Sequence, residues 1–521
     1  MKLRSRPAQI FAAREGRWLV VAGEDRHVVP AAAVSLLRCC TVPRTLAEHE
    51  AAFVAAERMG RDRVPAVRAL LADLVRRGLI AEAASAEEAA AIRTIVIPTR
   101  ARSPILERCQ TSFAENARMF GREVRFVVSE DGAANPRREV WVRRLAAVAP
   151  EGVARFLLFG DPGMDAASKT SSASLASYGA NRNLLLLETA GEPVLTVDDD
   201  MVCEWRRSPE YQPGLAVSAR NPAERWLHES MDAARGSAAP EPFDVLGRFG
   251  AGLGPMGESV ISEAPVPVRV AIAQAGVCGD AGTDSPLGRL LARGAARERW
   301  LERPGLWRTR AVTAVARRET LVTAPHWMTA CAAMDGRLPL VPFPPMDRFD
   351  DRTFATLLWM TRHDWAIRHV PWSVWHEPVP AREFAADALT AQAGVFRTGE
   401  AVLAFLYHAK PPSLAAAAEW LGEAAAWDEA TFVRFVAALR RKGVEKEIAI
   451  LREAIAEHGG KPEWWAGELR AVIAVLEETL AGERLMAGSA GLQGYLGAFA
   501  ELLRHWPAMW ECARGYAGER V

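Results

Sequence analysis

The alternation of apolar and polar positions is most regular between residues 92 and 200. Arg93-Thr-Ile-Val-Ile-Pro98 is a short β-branched run, which predicts a strand buried on both faces. Ser103-Pro104 then supplies an N-cap and a proline at the first helical position. Ile105, Cys109 and Phe113 recur every four residues, predicting a helix that stops near Gly121. Val124 to Val128 and Ala154 to Phe159 predict two further strands, ending in Ser129-Glu-Asp-Gly132 and Gly160-Asp-Pro-Gly163. A helix over Asn181 to Glu188 and a strand over Pro193 to Val197 follow, and the strand runs into Asp198-Asp199-Asp200. Strand and helix in alternation imply the α/β class, with a mainly parallel sheet covered by helices. Ligands of such sheets sit beyond the carboxyl ends of the strands, where these acidic and glycine-rich turns lie.

The flanking segments read differently. In residues 1–88, Arg17 to Val21 and His27 to Val29 predict a strand pair. Helices follow over Ala31 to Cys39, from Arg44-Thr45 onward, and over Val64 to Arg77, the last running into Gly78-Leu79-Ile80. Residues 201–378 are mixed and rich in proline and tryptophan, with a strand over Val268 to Ala275 and a helical run over Thr353 to Met360. In residues 379–521 the segments Leu414 to Ala426, Glu429 to Arg441, Glu445 to His458 and Trp464 to Leu480 are amphipathic, with turn chemistry at Gly459-Gly-Lys-Pro462. These predict a helical bundle that packs on the preceding domain or mediates self-association. The domains expected are therefore 1–88, 89–378 and 379–521.

Charge and cysteine usage narrow the setting. Lys+Arg and Asp+Glu both number 64, so no net field draws the protein to nucleic acid or to an anionic membrane. The seven cysteines are scattered without CxxC spacing, as expected of thiols in a reducing cytoplasm. The basic N-terminus is interrupted by charge before any run long enough for a signal peptide, and no apolar run approaches a membrane span.

Asp198 and Asp200 stand two apart at a strand end, so alternation puts them on one side and turns Asp199 away. Two carboxylates held close need a cation between them, and hard oxygen ligands suit Mg2+ or Mn2+. An acidic surface turn is the competing reading. The same stretch resembles the nucleotide-binding half of family-2-type glycosyltransferases with a GT-A (Rossmann-like) fold. The resemblance lies in Val96-Ile-Pro-Thr-Arg100, Val127-Val-Ser-Glu-Asp-Gly132, Gly179-Ala-Asn-Arg-Asn183 and Ala190-Gly-Glu-Pro193 leading into the aspartates. It departs from the family pattern at Glu130, Ala133 and Asn181. The resemblance implies a nucleotide pocket shaped by Pro98, Thr99 and Arg100, with Glu130 or Asp131 accepting from the base. Asp198 and Asp199 would lie by the donor, Arg182 and Asn183 would contact or pack beside it, and Asp198 and Asp200 would hold the metal. A surface ion pair is the other role open to Arg182, and helix packing the other for Asn183.

Downstream, Met346-Asp-Arg-Phe-Asp-Asp351 resembles the segment carrying the acidic pair of these enzymes, which implies Asp351 as general base and Asp350 as its supporting acid. Asp280 and Asp284 are competing acids. His376, in Trp375-His-Glu-Pro378, matches the place where some GT-A enzymes supply a third metal ligand. Trp327, Trp372 and Trp375 are candidates for an apolar wall under a sugar. Leu70, Leu74, Gly78, Leu79 and Ile80 resemble the last element of PqqD-like winged-helix domains, although Val42-Pro43 stands where those have glycine. That resemblance implies a peptide acceptor that adds to an edge strand; a generic docking or dimerisation winged helix is the alternative. The combined expectation is an inverting glycosyltransferase of the hexosyltransferase class using a nucleotide-sugar, UDP-sugar foremost. A GT-A-like nucleotidyltransferase or a non-catalytic scaffold remain the alternatives.

Overall fold

A computed structural model describes residues 2–22, 25–41, 44–82, 90–100, 103–131, 135–160, 177–255, 261–262, 269–280, 285–291, 301, 303–346, 348–362, 364–379, 382, 384–385, 387–481 and 491–518. The acids Asp284 and Asp347, the turn 132–134, the acidic turn at 161–163 and Val42-Pro43 lie outside the described residues.

The chain is α/β, built on a large mixed sheet of twelve strands among the described residues. Thr94–Thr99 is central to a parallel trio, flanked by Arg125–Glu130 and Pro193–Val197. All six of its residues are buried, as its unbroken β-branched run requires. Beyond the trio the sheet changes character. Cys331–Asp335 pairs antiparallel with Pro193–Val197 and with Arg269–Asp280, and Arg269–Asp280 runs parallel to Trp365–His376. Met201–Arg207 runs antiparallel to Trp365–His376. The expected mainly parallel sheet is thus parallel over one half and mixed over the other. Arg269–Asp280 is largely apolar, broken inside by Gln274 alone, and such a run does not encode strand direction.

Direction nonetheless converges. Two antiparallel steps through Cys331–Asp335 restore the original sense, so five strands point the same way and end on one rim. They are 94–99, 125–130, 193–197, 269–280 and 365–376.

One predicted strand is a helix. Glu151–Phe159 is α-helical and ends at Gly160, whose φ of 80° suits glycine. Val153, Ala154, Phe156, Leu157 and Leu158 are all buried, because the helix lies between Tyr178–Glu188 and the C-terminal helix Leu492–Gly518. Only Arg155 interrupts its apolar positions after Gly152, and so short an apolar run reads equally as a strand.

The C-terminal region also differs from expectation. Glu429–Glu457 is one continuous helix of 29 residues, so Gly443 does not break it. Thr398–Ala409 and Leu492–Gly518 are further helices that the periodicity did not single out. Residues of this region, including Phe405, Leu421, Leu496, Trp506 and Trp510, share a single core with the sheet and its helices at 136–145, 151–159 and 178–188. Trp506 donates to the Leu340 carbonyl at 2.6 Å, fastening the last helix to the α/β layer. The opposite face of the sheet is covered by Ser103–Met119 and Val245–Ala251.

Residues 3–80 have their own core, with Leu36, Leu37, Leu71 and Leu74 fully buried or nearly so. The hairpin Arg17–Ala22 with Asp25–Pro30 forms, and Thr45 with Glu48 makes a reciprocal capping box at the start of Leu46–Ala56. Ile261–Ser262, from the middle of the chain, pairs in parallel with Ala8–Ala12 and extends this small sheet to four strands. No helix among the described residues is long and apolar enough to cross a membrane.

Candidate active site

The rim where the five strands end gathers most of the chemistry. Thr99 closes the central strand and donates to Asp199 Oδ2 at 2.7 Å. Asp199 is therefore turned down toward the neighbouring strand, 3% exposed, while its neighbours face elsewhere. Asp198 Oδ1 lies 3.3 Å from Arg182 Nη2. Asp200 Oδ1 lies 3.0 Å from His376 Nε2, and the Glu377 amide donates to the Asp200 carbonyl at 2.9 Å. That last contact follows from the register, in which Met201 faces His376 across the sheet.

Arg182 ties two distant segments together. Its guanidinium contacts Asp350 closely and Asp198 on its other side, and its side chain is only 11% exposed. Asp350 and Asp351 open the helix Asp350–Thr361, whose N-terminus favours carboxylates. Burial pushes the Asp350 carboxyl up, against the pull of Arg182. Burial, and then the adjacent Asp350 charge, push Asp351 up to about 6. Asp198 is raised too, first by burial and then by Asp200, with Arg182 opposing. Its side chain keeps 32% of its surface exposed.

His376 carries the opposite balance. Burial alone would lower it, but the hydrogen bond and charge of Asp200, with the carbonyl and charge of Asp280, raise it. Among the described residues no three His, Cys, Asp or Glu side chains stand together as a complete metal-ligand set. Asp200 and His376 offer one oxygen and one nitrogen, whereas Asp198 is held on Arg182. The expected trio Asp198, Asp200 and His376 is thus brought to one rim but split by a guanidinium.

The nucleotide-side residues separate into lining and support. Arg100 reaches Asp131 at 3.2 Å and stacks over the Tyr178 ring at 4.3 Å, its guanidinium side partly exposed and the carboxylate buried. Asp131 is buried and Glu130 exposed, so the two acids of that turn face different surroundings. Pro98 is buried within the strand. Asn183 is fully buried: it donates to the Phe343 carbonyl at 2.8 Å and accepts from the Phe343 amide at 2.8 Å. Its amide therefore pins the helix to the chain at 343, and packing is the role the structure gives it. Arg182 is an internal clamp and no surface ion pair.

Two other candidates change place. The Asp280 carboxylate accepts two bonds from Arg310, at 2.8 and 2.7 Å, and one from Arg382 at 2.7 Å, an arrangement unsuited to removing a proton. Trp327 packs against Phe354 and Phe343 at 4.8 and 5.8 Å in the core, and Trp375 is 1% exposed between Arg206 and Arg235. Trp372 lies against Phe243 at 4.8 Å. These rings do not make a common wall, because two of the three are spent on core packing.

Residues that the sequence reading passed over include Arg138, Arg310 and Arg382. Arg138 is fully buried, bonded to the carbonyls of Glu130 and Leu158 and to Asn181 Oδ1, and desolvation lowers it to about 10. It braces the end of the second strand at Glu130. An arginine among 64 basic residues carries no local mark of such a role; only a buried strand end within reach would have suggested it. Compared with protein families, with characterised proteins and with solved structures, the chain matches none.

Proposed function

We propose that the protein is a metal-dependent glycosyltransferase that moves a sugar from a nucleotide-sugar donor to an acceptor with inversion. The observation that supports this most is the meeting of Asp198, Asp200 and His376 with Asp350 and Asp351 on one rim, from segments up to about 180 residues apart. A bound Mn2+ or Mg2+ would be held by Asp200 and His376 and would neutralise charge on the departing diphosphate. Arg182 holds Asp350 in place and opposes the upward push of burial on its carboxyl. Asp351, titrating near 6, is deprotonated at neutral pH yet basic enough to accept the acceptor's proton as the anomeric carbon is attacked.

For the acceptor, a peptide suits the N-terminal unit. The Ala8–Ala12 edge of its sheet is already paired with Ile261–Ser262. Asp25–Pro30 has no strand partner on its outer side among the described residues, and Val28 there is 48% exposed. Arg77 donates to the Val28 carbonyl at 3.4 Å, so the main chain of this residue faces outward. An extended peptide adding there would bond to the outward groups.

The reading is tested by thermal shift with UDP-, GDP- and dTDP-sugars, with and without Mn2+, on the native protein and on Asp200→Ala. A metal-dependent shift with one donor, lost in the variant, is expected; none with any donor would overturn the proposal.

A further inference from the structure

The residue just before the acid pair Asp350–Asp351 adopts a backbone conformation that bulky side chains avoid. Phe349 has φ 68° and ψ 11°, in the left-handed region. Its carbonyl accepts from the Thr353 amide at 2.9 Å and so starts the helix Asp350–Thr361. The direction in which Asp350 and Asp351 leave the chain is set by this turn. A phenylalanine stays in such a conformation only where its surroundings enforce it.

Two helix backbones close on the segment that leads into the turn. On one side is the first turn of Tyr178–Glu188, where the Gly179 amide donates to the Met346 carbonyl at 3.1 Å. A Cβ on Gly179 would overlap the Pro344 carbonyl oxygen, and Arg182, one turn further on, grips Asp350. On the other side is the C-terminal region. Gly399 lies in the first turn of Thr398–Ala409, and a Cβ on it would stand 2.6 Å from the Arg348 carbonyl oxygen and 2.6 Å from Phe349 Cβ. The helix therefore rests its backbone on the left-handed turn, an approach that glycine alone permits. Arg397, just before this helix, lies over the Phe349 ring at 6.0 Å. Nor is the helix free to retreat: Ala401, Val402, Phe405 and Leu406 are buried in the same core as Phe354 and Leu357.

We propose that Gly399 is a positioning residue, through which the C-terminal helix Thr398–Ala409 sets the left-handed turn at Phe349 and hence the aim of Asp350 and Asp351. Gly399 touches neither donor nor acceptor; it acts through the backbone of residues 348 and 349. The C-terminal helices are on this account part of the acceptor half. The consequence for transfer rests on the function proposed above, whereas the hold on the turn is a property of the protein alone.

Three variants and two readouts test it. Gly399→Ala should push the turn aside by about 1 Å, since carbon atoms pack about 3.5–4.0 Å apart. Phe349→Gly relieves the strain but removes the Cβ on which the helix rests, and is expected to fold. Gly336→Ala is the matched control. A Cβ there would overlap the Glu192 carbonyl oxygen, beside the start of the strand 193–197 and so at the end of the sheet away from the rim. The first readout is amide hydrogen exchange by mass spectrometry, with each protein held equally far below its Tm. Exchange over residues 350–353 is expected to quicken by about tenfold in Gly399→Ala, less in Phe349→Gly, and not at all in Gly336→Ala. The second readout separates kcat from KM. A displacement of this size lowers kcat by about 100-fold, and that loss, with donor KM near native, is expected of Gly399→Ala and not of Gly336→Ala. Native exchange over 350–353 in folded Gly399→Ala would overturn the assignment; should that variant not fold, native exchange in Phe349→Gly would do so. An equal kcat loss in Gly336→Ala would also overturn it, since general destabilisation would then explain both. If the native protein transfers sugar from no donor, the glycosyltransferase reading fails, while exchange still decides whether the C-terminal helix holds the turn.

Discussion

Two carboxylates two residues apart, Asp198 and Asp200, meet very different partners. Asp198 faces Arg182, a permanent cation that also grips Asp350. Asp200 faces His376, a cation only while it holds a second proton. Arginine does not give up its proton in a protein, so Asp198 stays compensated whatever arrives. Histidine can, so the Asp200 half of the rim can exchange a proton for a metal ion. On the proposed function the first half builds the rim and the second binds, although nothing in the local sequence distinguishes the two aspartates.

The sharpest way to separate the halves is through the base. Asp351→Asn is expected to lower kcat by about 100- to 10,000-fold while leaving donor affinity near native. In the native protein kcat should fall as pH drops through about 6, where Asp351 takes up a proton, and the variant should lose that limb. The sign for stability is opposite. A carboxyl raised on folding weakens the native state above its folded pKa, and the penalty fades as pH falls from about 6 toward the unfolded range near 4. Asp351→Asn should therefore raise Tm at pH 7.5 and lose that gain in acid; a lowered Tm at pH 7.5 would contradict the burial argument.

Next in size is Arg182→Gln. It strands Asp198 and Asp350 without their shared cation, a change that typically costs about 3–5 kcal/mol. Urea unfolding at pH 7 measures it, and a loss below about 1 kcal/mol would show that Arg182 is not the clamp. Asp200→Ala should reduce transfer by about 100- to 1,000-fold with unchanged urea stability, because its partner His376 can turn neutral. If Asp198→Ala abolished the Mn2+-dependent shift and Asp200→Ala spared it, the two halves would have to be exchanged.

The smallest effects bear on the supports. Asn183→Ala removes paired bonds to the Phe343 backbone and should cost about 1–3 kcal/mol of stability, with donor affinity in the folded protein unchanged. At the N-terminal unit, Val28→Pro removes one outward amide from the open edge strand. It should suppress transfer to a peptide acceptor while donor hydrolysis persists; undiminished transfer would remove the peptide from the reading.

Local chemistry was legible wherever it left a local mark. The strand 94–99, the helix 103–119, the hairpin and three helices of residues 17–77 and the strand before Asp198 follow from β-branched runs, caps and four-residue spacing. Residues 198–200 form a turn between the strands 193–197 and 201–207, so Asp199 is drawn from its neighbours by its bond with Thr99 and not by strand alternation. Glu151–Phe159 escaped because its apolar run Phe156 to Phe159 is too short to show a helical period. Leu492–Gly518, by contrast, carries a polar stripe, Glu501, Arg504, Glu511 and Arg514 being exposed at helical spacing, and was legible in the sequence.

The sequence by itself determined the α/β class, the independent N-terminal core and the acidic turn, since each depends on neighbours within a few residues. Only the tertiary structure decided that Cys331–Asp335 reverses the sheet twice, returning Asp280 and His376 to the rim of Asp198–Asp200. It alone decided which aspartate met an arginine and which a histidine. Partners 168 and 96 residues apart, as in Arg182–Asp350 and His376–Asp280, are set by sheet order and strand direction. Backbone pairing is nearly indifferent to side-chain identity, so no short stretch of the chain encodes those meetings.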